Sequence, residues 1–547
     1  MEIHRPWLAQ YAAHTPHTIE VPQVPVHQFL LDNAADHPDD IAICFNDIRM
    51  TYAELNQRVN RFARALQAAG IQKGDRVALI LVNSPTYVIT YFGILKIGAV
   101  VVNISVGIQG EELARCLNDA GARAVVSLDL FAQNIYAVIA ATGVETVILH
   151  SVFGLEKELA LGDNAPRPLI FADFIASADG DAEPDGRVAP RDVAVLQYTS
   201  GATGAPKAAT LTHANVVASV YQADCWVGIQ GAGNAAVICM IPFFHVFGMS
   251  ACLLISVLKG YRMILMPRMD AMDMVSLTQT LADHRPISFP AVPSIWGALL
   301  TVDDATLRDH LSSIQVASSG GAPLPVAIHE RFEQLTGRRI MEAYGLSEAG
   351  STTHINPYPM GGPKGSVGLP VPGTDARIVD IETGERVCAP NEIGELTVRG
   401  PQIMQGYWQN PVLTASALRD GWLYTGDLAR MDEDGFFYLV DRKDDLILSS
   451  GFNIYPSQVE AVLKAHPAVR DAAVIGIPDR IKGQTVIALV VLADGATENR
   501  KALLDHCRAQ MPDYRVPKTF LFRDDIPRDP AGKMLKRVLR QEQSPTA

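Results

Sequence analysis

The chain has 547 residues, 48% of them hydrophobic and 19% charged, with a formal net charge of −13. That length exceeds what one hydrophobic core usually serves, so several domains are expected. The acidic balance offers no broad basic face, which argues against nucleic acid or anionic membrane as a partner. Seven scattered cysteines (Cys44, Cys116, Cys225, Cys239, Cys252, Cys388 and Cys507) form no CxxC pair, and no HExxH occurs. This usage suits reduced thiols rather than a disulfide framework or a zinc site.

In chain order, MEIHRPWLAQYAAH lacks an apolar signal core, so a soluble, cytoplasmic protein without an integral membrane segment is expected. Thr51 to Gly70 reads as a helix. Thr51 and Glu54 make a capping box, Leu55, Val59, Phe62 and Leu66 share one face, and Gly70 ends it. Apolar runs at Val77–Val82, Ala99–Ile104, Ala124–Leu128 and Ala236–Ile241 alternate with helical patterns. That is the signature of buried, mainly parallel strands in an α/β fold.

Another such run, VAVLQY at Val193–Tyr198, leads into YTSGATGAPKAATLTH, so the stretch is expected to hang from a sheet edge. Glycines let the backbone turn and bring N–H groups to an anion. Thr199, Ser200 and Thr203 add hydroxyl donors, and Lys207 adds charge. The spacing is not that of the GxxxxGK[ST] loop. The stretch is therefore another phosphate loop or an ordinary surface turn.

Val246–Leu258 is a 13-residue apolar run, too short to span a bilayer and expected as a buried helix. SSGGAP (Ser318–Pro323) reads as a tight turn approaching a flat ligand, or as a plain Gly–Pro loop. YGLSE (Tyr344–Glu348) gathers an aromatic ring, a glycine, a hydroxyl and a carboxylate, or is simply a strand end and helix cap.

Past about residue 365 the pattern changes to short β segments: Val367–Asp380, Gly394–Arg399 and Gly435–Val440. WLYTGD (Trp422–Asp427) ends in a carboxylate able to accept from two neighbouring hydroxyls. The polar cluster DRKDD (Asp441–Asp445) marks a domain boundary. Residues 1–441 and 442–547 form the two domains, the second an α+β unit with helices at Pro456–His466 and Asn499–Met511. Lys533 lies in the late loop IPRDPAGK.

The loop at 198–213, YGLSE, WLYTGD, DRKDDLILSSGFNIYP and PAGK occur in one order. Together they resemble the adenylate-forming superfamily of acyl-CoA synthetases, adenylation domains and luciferases, from about residue 25 to 540. Within it, DRKDDLILSSGFNIYPSQVE is most similar to fatty-acyl-CoA synthetases. The resemblance implies a large N-terminal domain of two α/β sheet subdomains and a small β subdomain, with a mobile α+β C-terminal domain.

It also implies ATP, Mg²⁺, coenzyme A and a small-molecule carboxylic acid as reactants, handled by a monomer or homodimer. Thr199, Ser200, Gly201, Thr203, Gly204 and Lys207 would hold the β/γ-phosphates. Gly320, Gly321, Ala322 and Tyr344 would line the adenine pocket, Gly345 would belong to the same nucleotide-binding set, Ser347 would meet the α-phosphate, and Glu348 would bind Mg²⁺. Asp427, helped by Arg442, would hold the ribose hydroxyls. Lys533 would bridge carboxylate and α-phosphate, Asp444 would be the hinge, and Gly451 would line the pantetheine channel. His245, in PFFHVFGM, would line or gate an apolar acyl site, or be a structural histidine.

Two residues depart from the family pattern: Ala202 stands where Thr or Ser is usual, and Ala208 where Gly is usual. The leading expectation is a medium- or long-chain fatty-acyl-CoA ligase. Alternatives are an aryl-acid CoA ligase and a fatty-acyl adenylate-forming enzyme loading a carrier protein. Outside ligase chemistry stand a luciferase-like oxygenase and a non-catalytic nucleotide binder.

Overall fold

The computed structural model describes residues 4–151, 165–199, 207–229, 235–267, 274–479, 483–528 and 534–543. The chain divides into two compact units, Met1–Asp375 with Arg399–Leu423, and Ala376–Val398 with Tyr424–Ala547.

The first unit holds two large sheets. One has eight strands, in the order Gly406–Tyr407, Lys207–Thr212, Val193–Thr199, Val100–Asn103, Arg76–Ile80, Ala122–Leu128, Thr146–His150 and Pro168–Ile170. Its central pairings are parallel, as expected for strands such as VALI and VVVN that are buried throughout. The second has nine strands and includes Ala236–Cys239, Ser288–Ala291, Val316–Ser319 and Met341–Leu346.

The helix over Tyr52–Ala68 starts at the expected capping box. Glu54 N–H donates to Thr51 Oγ1 at 3.2 Å, and Thr51 N–H to Glu54 Oε2 at 2.9 Å. The apolar run after His245 is helical and buried, with a π segment at Met249–Leu254 between two α segments.

One expectation is corrected. The strand Val193–Thr199 is internal to its sheet, not at an edge: it pairs in parallel with Val100–Asn103 and antiparallel with Lys207–Thr212. The sequence after Lys207, AATL, is apolar enough to continue as a buried strand, so the chain leaves the sheet and re-enters it next door. Ala208 is part of that packing, 1% exposed within the core of the eight-stranded sheet.

The second unit carries most of a five-stranded sheet containing Gly394–Arg399, Trp422–Met431 and Phe437–Arg442. It also carries a five-stranded α+β body built on Val469–Asp479 and Gly483–Leu492, flanked by Pro456–Lys464 and Arg500–Gln510.

Candidate active site

Lys207 is the first residue of its strand and lies opposite Thr199 across the hairpin. Ser200, Gly201, Ala202, Thr203 and Gly204 lie outside the described residues. Lys207 Nζ donates to Tyr407 Oη at 2.9 Å and lies 3.4 Å from Glu348 Oε1. Tyr407 Oη donates in turn to the same Glu348 oxygen at 2.6 Å.

Backbone pairing brings these groups together. Tyr407 pairs with Ala209, two residues along the strand from Lys207, and Met404 N–H donates to the Glu348 carbonyl at 2.8 Å. Sequence reasoning missed Tyr407. Its only local signal is a Gly-Tyr-Trp run ahead of the helix start Asn410–Pro411.

Glu348 sits in the 3-10 turn Ser347–Ala349 that ends the strand Met341–Leu346. Gly345 is needed here for space: a Cβ would lie 1.8 Å from the Ser351 carbonyl oxygen. Tyr344 is buried, with its ring 5.8 Å from that of His354, and Ser347 is half-buried.

On the neighbouring strand end, Gly320 is buried, a Cβ added there would lie 3.4 Å from the Phe247 ring, and Gly321 takes φ +83. Ala322 follows, half-buried. Glu342 ties this loop to the strand carrying YGLSE, its Oε1 accepting Leu324 N–H at 3.0 Å. Burial raises the Glu342 carboxyl from its ordinary 4.5 to about 7, against the lowering effect of that bond.

His245 caps its helix, its Nδ1 accepting Phe247 N–H at 3.2 Å. Phe243 is buried beside Tyr87. Trp296 is sealed between Phe289 and Phe332 in the core of the nine-stranded sheet, and its indole N–H donates to Ser318 O at 3.1 Å.

In the second unit, Asp427 and Arg442 pair across antiparallel strands. Arg442 Nη1 lies 2.7 Å from Asp427 Oδ1, and Asp427 is 9% exposed. Gly426 precedes it at φ +72 within the strand, its N–H donating to Glu395 Oε1 at 3.2 Å. Asp444 is exposed in the 3-10 turn Lys443–Asp445. Gly451 is exposed at φ +82 between two short strands, and an added Cβ would meet open space. Left-handed backbone therefore favours glycine there. Lys533 lies outside the described residues.

A cation and a carboxylate sharing a phenol in the first unit, and a buried aspartate fixed by arginine in the second, are groups suited to a nucleotide. The comparisons agree with that chemistry. Residues 30–408 match the family model "AMP-binding enzyme", and residues 458–533 match "AMP-binding enzyme C-terminal domain".

A long-chain-fatty-acid–CoA ligase of Bacillus subtilis (strain 168) is 39% identical over 100% of this chain and 99% of its own. A feruloyl-CoA synthase of an Amycolatopsis species is 35% identical, covering 92% of this chain and 96% of its own. Among solved structures, ATP-bound MatB from Rhodopseudomonas palustris is 30% identical with TM-score 0.84, covering 95% of this chain and 99% of that one. The chain belongs to the AMP-binding enzyme family, the adenylate-forming superfamily that its motifs resemble.

Proposed function

We propose that this protein is an ATP-dependent ligase that converts a medium- or long-chain fatty acid to its acyl-CoA thioester through an acyl-adenylate. The observation that carries the reading is the Lys207–Tyr407–Glu348 network, whose Lys207 directly follows residues 200–206 in the sequence. It supplies a cation for phosphate and a carboxylate for a hard metal ion. Full-length similarity to a long-chain-fatty-acid–CoA ligase supports the acid class.

The chemistry has two steps. The fatty carboxylate oxygen attacks the α-phosphorus of ATP and pyrophosphate leaves. The CoA thiol then attacks the acyl carbon and AMP leaves, taking the bridging oxygen. Two anions must meet in the first step, so positive charge is needed at the approach. Lys207 and the loop residues Thr199, Ser200, Gly201, Thr203 and Gly204 hold the β/γ-phosphates. Lys533 bridges the carboxylate and the α-phosphate, a task that suits a point charge on a flexible stem.

Gly320, Gly321, Ala322 and Tyr344 line the adenine pocket, Gly345 belongs to the same nucleotide-binding set, Ser347 meets the α-phosphate, Asp427 holds the ribose hydroxyls with Arg442, and His245 borders the acyl site. Gly451 lines the pantetheine channel. Asp444 is the hinge on which residues 442–547 turn between the half-reactions.

Magnesium takes oxygen ligands, commonly one or two carboxylates plus substrate phosphates. Glu348 fits, since both its bonds to Tyr407 and Lys207 fall on one oxygen, Oε1. When bound, the ion neutralises charge on the phosphate oxygens. Seven free thiols support a reducing, cytoplasmic setting, and among the described residues no helix is long and apolar enough to cross a membrane.

The test is AMP formation with Mg-ATP over palmitate, octanoate, ferulate, benzoate and malonate, each with and without CoA. Turnover is expected with the straight-chain acids and only when CoA is present. Preference for ferulate or benzoate would assign an aryl-acid ligase instead.

A further inference from the structure

A set of buried amides joins the two large sheets of the first unit at residues 240–245, the turn that follows the strand Ala236–Cys239 of the nine-stranded sheet. The amides belong to the other sheet. Asn83 comes shortly after the strand Arg76–Ile80, Asn103 ends the strand Val100–Asn103, and Gln197 lies in Val193–Thr199. All three are buried.

Asn83 grips the chain as it leaves its strand. Its Nδ2 donates to the carbonyls of Cys239 and Ile241, both at 2.9 Å, and its Oδ1 accepts Phe243 N–H at 2.8 Å. Gln197 Nε2 donates to the Phe244 carbonyl at 2.8 Å. Asn103, the neighbour of Gln197 across the parallel ladder, links the rest. Its Nδ2 donates to Gln197 Oε1 at 3.1 Å, and its Oδ1 accepts from Tyr87 Oη at 2.7 Å. The same Tyr87 Oη lies 3.0 Å from the Phe243 carbonyl oxygen. Tyr87, Asn103, Gln197 and the Phe244 carbonyl thus form one hydrogen-bonded chain.

The turn is fixed internally as well. His245 N–H donates to the Pro242 carbonyl at 3.0 Å, and a Cβ on Gly248 would lie 2.2 Å from that oxygen. Apolar burial is non-directional, whereas hydrogen bonds demand a set distance and angle. The amides therefore select one register between the sheets. On the far side, Gln197 pairs with Ala209 on the strand that begins with Lys207. The network runs from that strand to the turn bearing His245.

We propose that Asn83, Tyr87, Asn103 and Gln197 are positioning residues that hold the His245 turn, and with it the acyl site, in register with the strand that carries Lys207. The inference rests on the roles given above to His245 and Lys207. Changing these side chains leaves the backbone ladder between Gln197 and Ala209 in place, so Lys207 keeps its position while the turn loses its anchor. The acid then binds more weakly and Mg-ATP does not.

The full chain and its Gln197→Met, Asn103→Leu, Gln197→Met/Asn103→Leu and Tyr87→Phe variants are compared by initial rates of palmitoyl-CoA formation, varying palmitate and Mg-ATP in turn. The KM for palmitate is expected to rise roughly tenfold in Gln197→Met and in Asn103→Leu, and roughly threefold in Tyr87→Phe. The KM for Mg-ATP should change by no more than about twofold. The double variant should match the larger single loss, because both residues act through one chain of hydrogen bonds. Loss of folded protein lowers kcat and moves neither KM, so destabilisation does not reproduce this pattern.

An unchanged KM for palmitate, an equal rise in both KM values, or single losses that multiply in the double variant overturns the proposal. Where Gln197→Met or Asn103→Leu fails to fold by thermal melting, Tyr87→Phe decides by the same split between the two KM values. If the wild-type protein forms no palmitoyl-CoA, the ligase reading itself is wrong and the inference falls with it.

Discussion

Tyr407→Phe removes the hydroxyl that bonds both Lys207 and Glu348, while the direct 3.4 Å contact between those two remains. A hydrogen bond to a charged group is worth about 1.5–3 kcal/mol, so the KM for Mg-ATP is expected to rise roughly tenfold or more. Initial rates of pyrophosphate release against Mg-ATP concentration measure it, and an unchanged KM would remove Tyr407 from the account.

Ala202→Thr supplies the hydroxyl that the resemblance leads one to expect in the proposed phosphate-binding stretch. It is expected to lower the KM for ATP in the same assay, and an unchanged value would show that the hydroxyl is not missed. Glu342 makes a pH prediction. Its folded pKa, about 7, lies above the ordinary 4.5, so the stability it contributes is full below about 4.5 and is lost as pH rises through about 7. Glu342→Gln keeps an acceptor for Leu324 N–H without the charge. Its melting temperature should therefore gain on wild type between pH 5 and pH 8. A difference independent of pH would contradict this.

Among the elements, the helix Tyr52–Ala68 shows what local sequence determines. Thr51→Ala deletes the capping hydroxyl and should cost about 1 kcal/mol, read as a lower urea midpoint with an unchanged slope. A cost near zero would mean that packing alone places this helix end. Its cap, apolar face and Gly70 terminator lie within twenty residues, which is why the sequence exposes them.

The same holds for the strands at 76–80, 100–103 and 122–128, where buried runs are continuous. The hairpin partner Lys207–Thr212 was not legible, because a six-residue strand beginning with lysine and alanine has no alternation to betray it. Tyr407 was hidden for a different reason. Its meaning comes from pairing with Ala209, almost two hundred residues away, and that pairing is a property of the sheet. Asp427 and Arg442 were legible as separate motif residues. Their direct pairing at 2.7 Å became visible only through the antiparallel register.

For the whole molecule, the Lys207–Tyr407–Glu348 network lies in one compact unit and the Asp427–Arg442 pair in the other. In the proposed reading, Asp444 is the hinge on which residues 442–547 turn between the half-reactions.

The central claim is that the acid is activated as an acyl-adenylate. The most direct measurement follows the carboxylate oxygen. With palmitate carrying ¹⁸O in both carboxylate positions, Mg-ATP and CoA, the account predicts AMP with one ¹⁸O atom, transferred when the thiol displaces the adenylate. Label in inorganic phosphate, or unlabelled AMP beside palmitoyl-CoA, would contradict it.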